Sequence, residues 1–113
     1  NNPSEKEVKL SKALDNTLRL YNVYNFPNPF SNNTQFCFEV TNNVRLKIDI
    51  YSLGGRKVWS YLNENINSGY HSIEWNGKNF FNSEIANGVY LYKIEVLGNS
   101  YKTSYIGKCA KYQ

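Results

Sequence analysis

The chain has 113 residues, of which 41% are apolar and 16% aromatic, and its 13 basic and 9 acidic side chains give a net charge of +4. A chain of this length supports one domain, and its ten Tyr, six Phe and two Trp argue against disorder. No run approaches the roughly 20 apolar residues that a membrane-spanning helix needs.

The sequence contains no methionine and opens with no apolar leader. We therefore expect it to be part of a longer protein whose secretion signal lies upstream. Most lysines are scattered along the chain, and only residues 102–111 concentrate them. This distribution favours a mildly cationic surface over a nucleic-acid site.

Residues 1–17 are polar and are predicted to be a linker from an upstream domain, held on the following domain by Leu10 and Leu14. From residue 18 to residue 113 the pattern changes to short alternating runs separated by turn residues. These runs predict strands over residues 18–24, 34–40, 44–50, 57–62, 70–75, 89–96 and 101–112. Residues 63–69 are predicted to be a loose connection.

The third run shows the alternation most clearly. Its apolar residues, Val44, Leu46, Ile48 and Ile50, should point inward, and Arg45, Lys47 and Asp49 should point outward. Because no helical pattern separates the runs, the strands should pair antiparallel. The sequence therefore predicts an all-β, immunoglobulin-like antiparallel sandwich of about seven strands.

Residues suited to catalysis are sparse. His71 lies in the inward register of its strand without a nucleophile beside it, which favours a buried, hydrogen-bonded structural histidine. The nine carboxylates form neither a pair nor a calcium loop, and four zinc ligands are not available. We therefore predict no enzyme activity, no metal and no cofactor.

Two residue pairs leave alternatives open. Cys37 and Cys109 could form one disulfide, which would suit an exported protein, or remain two buried thiols. Trp59 and Trp75 are expected to pack in the core, although a surface platform for sugar rings is the alternative. The last strand could be recognised by another protein through its backbone edge.

Four linked motifs and a lysine-bearing last strand, in order along residues 18–113, resemble type IX secretion C-terminal sorting domains. They are YNFPNPF at residues 24–30, VRLKIDIYSLGGR at residues 44–56, GYHSIEWNG at residues 69–77, ANGVYLYK at residues 86–93 and IGKCAK at residues 106–111. The sequence is also similar to the Ig-like domain of the flagellar hook-capping protein and to the domain that ends gingipain-like cysteine peptidases.

The resemblance marks a set of motif residues, for which the fold offers physical reasons. The set is Pro27, Asn28, Pro29, Phe30, Gly55, Trp75, Gly77, Gly88, Tyr90 and Tyr92. The prolines should end the first strand and move the chain to the facing sheet. Gly88 should allow the turn into the next strand, whose two tyrosines, with Trp75, should close one end of the sandwich.

The resemblance implies a non-catalytic module that folds outside the cytoplasm, on a secreted or cell-surface protein. Its last strands would direct the parent protein to the secretion channel, with Gly107, Lys108 and Lys111 as recognition residues. The implied partners are the secretion machinery or a surface peptidase, which would cut the domain off, and an upstream domain of the same chain. The parent would then be attached to a lipopolysaccharide-type anchor.

Two other functions remain open. The domain could be a structural spacer or protein-interaction domain on a surface enzyme such as a cysteine peptidase, or, less in keeping with its residues, a carbohydrate-binding module. Nucleic acid is not an expected partner, and no membrane span is expected.

Overall fold

A computed structural model describes residues 17–113, and these residues form seven β-strands and no helix. The predicted linker and its contacts through Leu10 and Leu14 lie outside the described residues, apart from residue 17. The strands are β1 (Leu20–Phe26), β2 (Thr34–Val40), β3 (Val44–Ser52), β4 (Lys57–Ile66), β5 (Gly69–Trp75), β6 (Gly88–Leu97) and β7 (Lys102–Lys111).

Two antiparallel sheets face each other. One has the strand order β1-β2-β5, and the other has the order β4-β3-β6-β7. The chain changes sheet between β2 and β3, between β4 and β5 and again between β5 and β6. The predicted all-β, immunoglobulin-like sandwich is therefore confirmed.

Alternation along the central strands builds the core. In β2, Phe36, Phe38 and Val40 are at most 1% exposed, and they face the buried side of β3 and β6. The residues predicted to point inward from β3 are all buried, as are Tyr90, Tyr92, Ile94 and Val96 of β6. Apolar burial on one face of each sheet is thus the force that fixes strand register.

The β4 strand is longer than its apolar pattern indicates. Residues 63–66, predicted to be part of a loose connection, continue the strand to Ile66. A bulge between Val44 and Leu46 shifts the pairing so that Leu46 lies opposite Asn63 and Val44 opposite Ile66. Because a bulge breaks the period-two pattern, polar residues there hide the strand from sequence reasoning.

The two prolines end β1 as predicted, but they do not move the chain to the facing sheet. β1 ends at Phe26, and β2 pairs with β1 in the same sheet. Between them the chain touches the other sheet, where Phe30 forms an isolated bridge with Lys111, and then returns.

Asp49 points outward as predicted, yet it is only 5% exposed. Its carboxylate accepts a hydrogen bond from Ser60 Oγ at 2.7 Å and lies 3.6 Å and 3.5 Å from the ammonium groups of Lys47 and Lys57. The neighbouring side chains therefore cover a carboxylate that alternation alone would place in water.

Candidate functional site: the edge of the C-terminal strand

The last strand, β7, lies at the edge of the four-stranded sheet and pairs with β6 over its whole length. Successive residues of a strand direct their backbone N–H and C=O groups to opposite sides. The amide of Tyr112 and both backbone groups of Ala110 bond to residues outside β6. The even-numbered residues of β7 therefore face away from the sheet and form its free edge.

The second half of this edge is covered by the segment between β1 and β2. Asn28 Nδ2 donates to the carbonyl of Lys108 at 3.3 Å, and Asn28 Oδ1 accepts from the amide of Ala110 at 3.0 Å. Phe30 N donates to the Ala110 carbonyl, and Tyr112 N donates to the Phe30 carbonyl, both at 2.9 Å. Two residues of the YNFPNPF motif thus act as a short extra strand beside residues 108–112.

A third residue holds the end of the chain from the other side. Asn87, which precedes β6, donates from Nδ2 to the carbonyl of Gln113 at 3.0 Å and accepts at Oδ1 from the Gln113 amide at 3.1 Å. We call Asn28, Phe30 and Asn87 the terminal clamp. The clamp fixes residues 108–113 on the sandwich.

The first half of the edge differs. The backbone groups of Ser104 and Ile106 face away from β6, and within residues 17–113 no hydrogen bond reaches them. The side chain of Ile106 is 63% exposed. The clamp therefore divides β7 into a covered half and an open half.

The three residues expected to serve recognition have different environments. Lys108 is exposed, in the middle of the edge. Lys111 is buried, with only 3% of its surface exposed. Gly107 is opposite Tyr92, and a Cβ at this position would lie 2.8 Å from Tyr92 Cε1. Gly107 thus makes room for an aromatic ring.

An aromatic cluster fills the end of the sandwich next to the clamp. Trp75 is fully buried, with its ring centroid 5.5 Å from that of Phe30 and 5.8 Å from that of Trp59. Phe36 links Trp75 to Tyr92, with centroid distances of 6.3 Å and 4.8 Å. Phe30 is therefore anchored in the core by its side chain while its backbone covers β7.

Trp75 is fully buried in this cluster, whereas Trp59 is half-buried and packs against it. Trp75 is therefore not available as a surface platform for sugar rings.

The motif glycines occupy turns with positive φ: 90° at Gly55, 72° at Gly77 and 148° at Gly88. Gly77 has a second constraint, since a Cβ there would lie 2.9 Å from the carbonyl oxygen of Asn32 and 3.2 Å from the Phe30 ring. A larger residue would push against the segment that carries the clamp.

Burial raises three pKa values in this part of the core. The pKa of Tyr92 rises to about 12 because its phenol is desolvated and lies near Tyr105 and Cys109. Desolvation also raises the pKa of Cys109 to about 12. Burial and the nearby Cys109 raise the pKa of Tyr90, whose hydroxyl donates to the Ala86 carbonyl at 2.7 Å.

Cys37 and Cys109 are both buried free thiols. Cys109 belongs to the core, whereas Cys37 lies on the outer side of β2, with its sulfur 3.6 Å from Ser72 Oγ. Of the two alternatives that the sequence left open, the structure has the pair of thiols.

Exposed tyrosines, which sequence reasoning missed, surround Cys37 on that outer face: Tyr21, Tyr24 and Tyr70 are 39%, 49% and 58% exposed. Hydrogen bonding to Cys37 and Tyr24 raises the pKa of Tyr70 to about 12.

The outer face of the four-stranded sheet is cationic. Two carboxylates are each shared by two lysines: Asp49 by Lys47 and Lys57, and Glu95 by Lys93 and Lys102. Arg45 pairs with Glu64 at 2.9 Å. Each shared carboxylate leaves one positive charge in excess, and Lys108 adds another, so this face carries most of the net charge.

His71 is half-buried rather than buried. It shares the inward register with Trp75, its Nε2 lies 2.6 Å from the Asn67 carbonyl, and its ring stacks on Phe38. Over residues 17–113, no three metal-ligating side chains come together, and no helix is long and apolar enough to cross a membrane.

The clamp is the part of the site that sequence reasoning did not identify as such. Asn28 belongs to a recognised motif, but its bonds to β7 join residues about 80 positions apart, and Asn87 resembles any turn asparagine. The available signal was that both asparagines lie within the motifs, but the motifs by themselves assign these residues no role in holding β7.

The chain folds as an Ig-like β-sandwich, with its last strand held at a sheet edge and its aromatic core beside that strand. These features define its class as an Ig-like β-sandwich module. The chain belongs to the family described as the secretion system C-terminal sorting domain, which its residues 22–108 match. The resemblance to type IX sorting domains is thereby confirmed. A domain of this family is a non-catalytic sorting signal, and it places its protein at the cell surface or outside the cell.

Two solved structures have a similar fold. The crystal structure of dimeric latent PorU from Porphyromonas gingivalis is 22% identical with a TM-score of 0.71, and the match covers 84% of this chain and 9% of that chain. PorZ, an essential surface component of the type IX secretion system of the same organism, is 20% identical with a TM-score of 0.52, covering 81% and 12%.

At these identities the likeness shows the fold alone. This chain spans about a tenth of the length of either protein. No curated protein matches its sequence.

Proposed function

We propose that the secretion machinery recognises this domain through the edge of β7, with Lys108 as the exposed cation of the recognised strand. The observation that carries the proposal is the division of the edge. The clamp holds residues 108–113 in a defined place, and the open half of the strand presents unpaired backbone groups. Gly107 and Lys111 would then act by positioning the strand.

We further propose that residues 1–17 join the domain to an upstream domain of a longer surface protein. In the same scheme a surface peptidase removes the sorting domain, and the parent is attached to a lipopolysaccharide-type anchor. The described residues support an upstream domain at the end of the sandwich opposite the clamp, because β1 starts there, beside Thr41. The upstream domain and the secretion machinery would thus meet opposite ends of the module.

The test is export of a reporter protein fused to residues 1–113. Lys108→Glu reverses the charge on the edge of β7, and Arg56→Glu makes the same change on the exposed turn between β3 and β4, which β6 separates from β7. We expect export to fall with Lys108→Glu and to continue with Arg56→Glu. Equal export of the two variants, with equal melting temperatures, would contradict the proposal.

A structural spacer is the second candidate. The entry of the chain at one end of the sandwich and the clamped residues 108–113 at the other favour it, since such a module would hold its parent at a distance from whatever binds β7. It predicts that the melting temperature of the parent falls when the module is removed. A parent that melts unchanged without the module would count against this role.

A further inference from the structure

The open half of the β7 edge is short and chemically distinctive. Ser104 and Ile106 lie in this half, both with edge groups that have no hydrogen-bond partner within the described chain, and the clamp begins at the carbonyl of Lys108. An added strand would therefore find its backbone bonds beside these two residues and would end where Asn28 begins.

Side chains beside this stretch have a clear pattern. Ile106 is 63% exposed, and Lys102 and Lys108 lie on either side of it, on the same outer face of the sheet. Lys102 is only loosely paired, because its ammonium is 3.9 Å from Glu95, and Glu95 already lies 3.6 Å from Lys93. Both flanking ammonium groups are thus available to carboxylates from outside.

A second copy of the chain fits this edge poorly. If two β7 strands paired antiparallel through Ser104 and Ile106, Lys102 of each copy would lie directly opposite Lys108 of the other. Like charges in cross-strand pairs are destabilising. The same geometry favours a partner that has carboxylates at these two positions.

We propose that the open half of β7 accepts an extended acidic segment of a partner protein as a fifth strand of the sheet. The segment would pair its backbone with Ser104 and Ile106, place an apolar side chain beside Ile106 and direct carboxylates toward Lys102 and Lys108. This inference rests on the proposed function, and it specifies the chemistry of the segment that the secretion machinery would offer.

A peptide titration of the full chain, followed by amide NMR, tests it. The probe is an acetylated and amidated peptide, Glu-Thr-Val-Thr-Thr-Thr-Glu, and the control is the same peptide with lysine in place of both glutamates. We expect saturable shifts at the Ser104 and Ile106 amides at about 1 mM peptide, with the lysine peptide binding roughly tenfold more weakly. With Lys102→Glu/Lys108→Glu, the preference should reverse.

Two single variants isolate the backbone contribution. Ile106→Pro removes an N–H that faces away from β6, a position where an edge strand tolerates proline, and it should abolish binding. Ile106→Val keeps both the N–H and the apolar side chain and should bind as before. If Ile106→Pro fails to fold, the peptide preference of the Lys102→Glu/Lys108→Glu variant tests the inference by itself.

Several results would overturn the inference. They are no saturable shift at residues 104 and 106, equal binding of the two peptides, or association of the chain with itself through β7 in sedimentation measurements. If peptide binding fails while Lys108→Glu still blocks export, the proposed function stands and the inference is wrong. If the peptide binds but Ile106→Pro is exported normally, the machinery does not use this edge.

Discussion

The ring of Tyr92 lies across the backbone of Gly107, its cross-strand neighbour on β7. The glycine leaves the space that the ring fills, and the ring in turn reaches Phe36 in the opposite sheet at 4.8 Å. The outermost strand is thereby tied to the centre of the core by a side chain that belongs to its neighbour.

Substitution of Gly107 should therefore destabilise the domain. A Cβ in Gly107→Ala would force the Tyr92 ring out of its position, and overpacking of this kind typically costs about 1–3 kcal/mol. Urea unfolding monitored by tryptophan fluorescence measures the loss. Ser104→Ala, an exposed change on the same strand, should stay within about 0.5 kcal/mol of the original, and an equal effect of both variants would refute the packing argument.

Removing one arm of the clamp should loosen the end of β7 more than it lowers global stability. Asn28→Ala deletes two hydrogen bonds to the backbone of β7, which should cost about 1–2 kcal/mol. Hydrogen exchange should accelerate at the Ala110 amide. Asn32→Ala, in the same connecting segment, serves as the matched control, and unchanged exchange in Asn28→Ala would show that the clamp does not hold the strand.

Thiol labelling should distinguish the folded chain from the unfolded one. Both cysteines are buried, and the pKa of Cys109 is raised to about 12, so neither thiol should react with iodoacetamide at pH 8 in the folded state. In concentrated urea, intact-mass measurement should find two added groups per chain. A non-reduced mass two hydrogens lower, with no labelling in urea, would indicate a disulfide instead.

Stability should decrease between pH 9 and pH 12. The unfolded chain releases the protons of Cys109 and Tyr92 near their ordinary pKa values of 9.0 and 10.0, whereas the folded chain keeps them until about pH 12. The unfolded state therefore binds fewer protons over this range, and the free energy of unfolding falls as the pH rises.

Urea midpoints measured across this range check the alkaline effect. Tyr92→Phe should flatten part of the decrease, because the variant has no phenol to ionise. Tyr112→Phe is the control, since the side chain of Tyr112 is 77% exposed. If the urea midpoint falls with pH equally in both variants, groups other than Tyr92 cause the alkaline loss of stability.

The local sequence pattern predicted the positions of those strands that have one buried face. β2 and β3 begin where alternation predicts, because Phe36, Phe38 and the apolar residues of β3 must leave water together. The end of β4 escaped prediction because its bulge replaces alternation with polar residues. Asp49 points outward as alternation predicts, and its burial comes from contacts that alternation does not describe, with lysines on two strands.

The sequence by itself determined the all-β class, the number of strands and the family, because these depend on short-range alternation, turn residues and linear motifs. Only the tertiary structure decided how the last strand is held. The hydrogen bonds of Asn28 and Asn87 to the end of the chain, the burial of Lys111 and the exposure of Ile106 all depend on which strand edge lies beside which loop. Contacts between residues so distant along the chain exist only once the two sheets have closed on a shared core, and local pattern does not encode them.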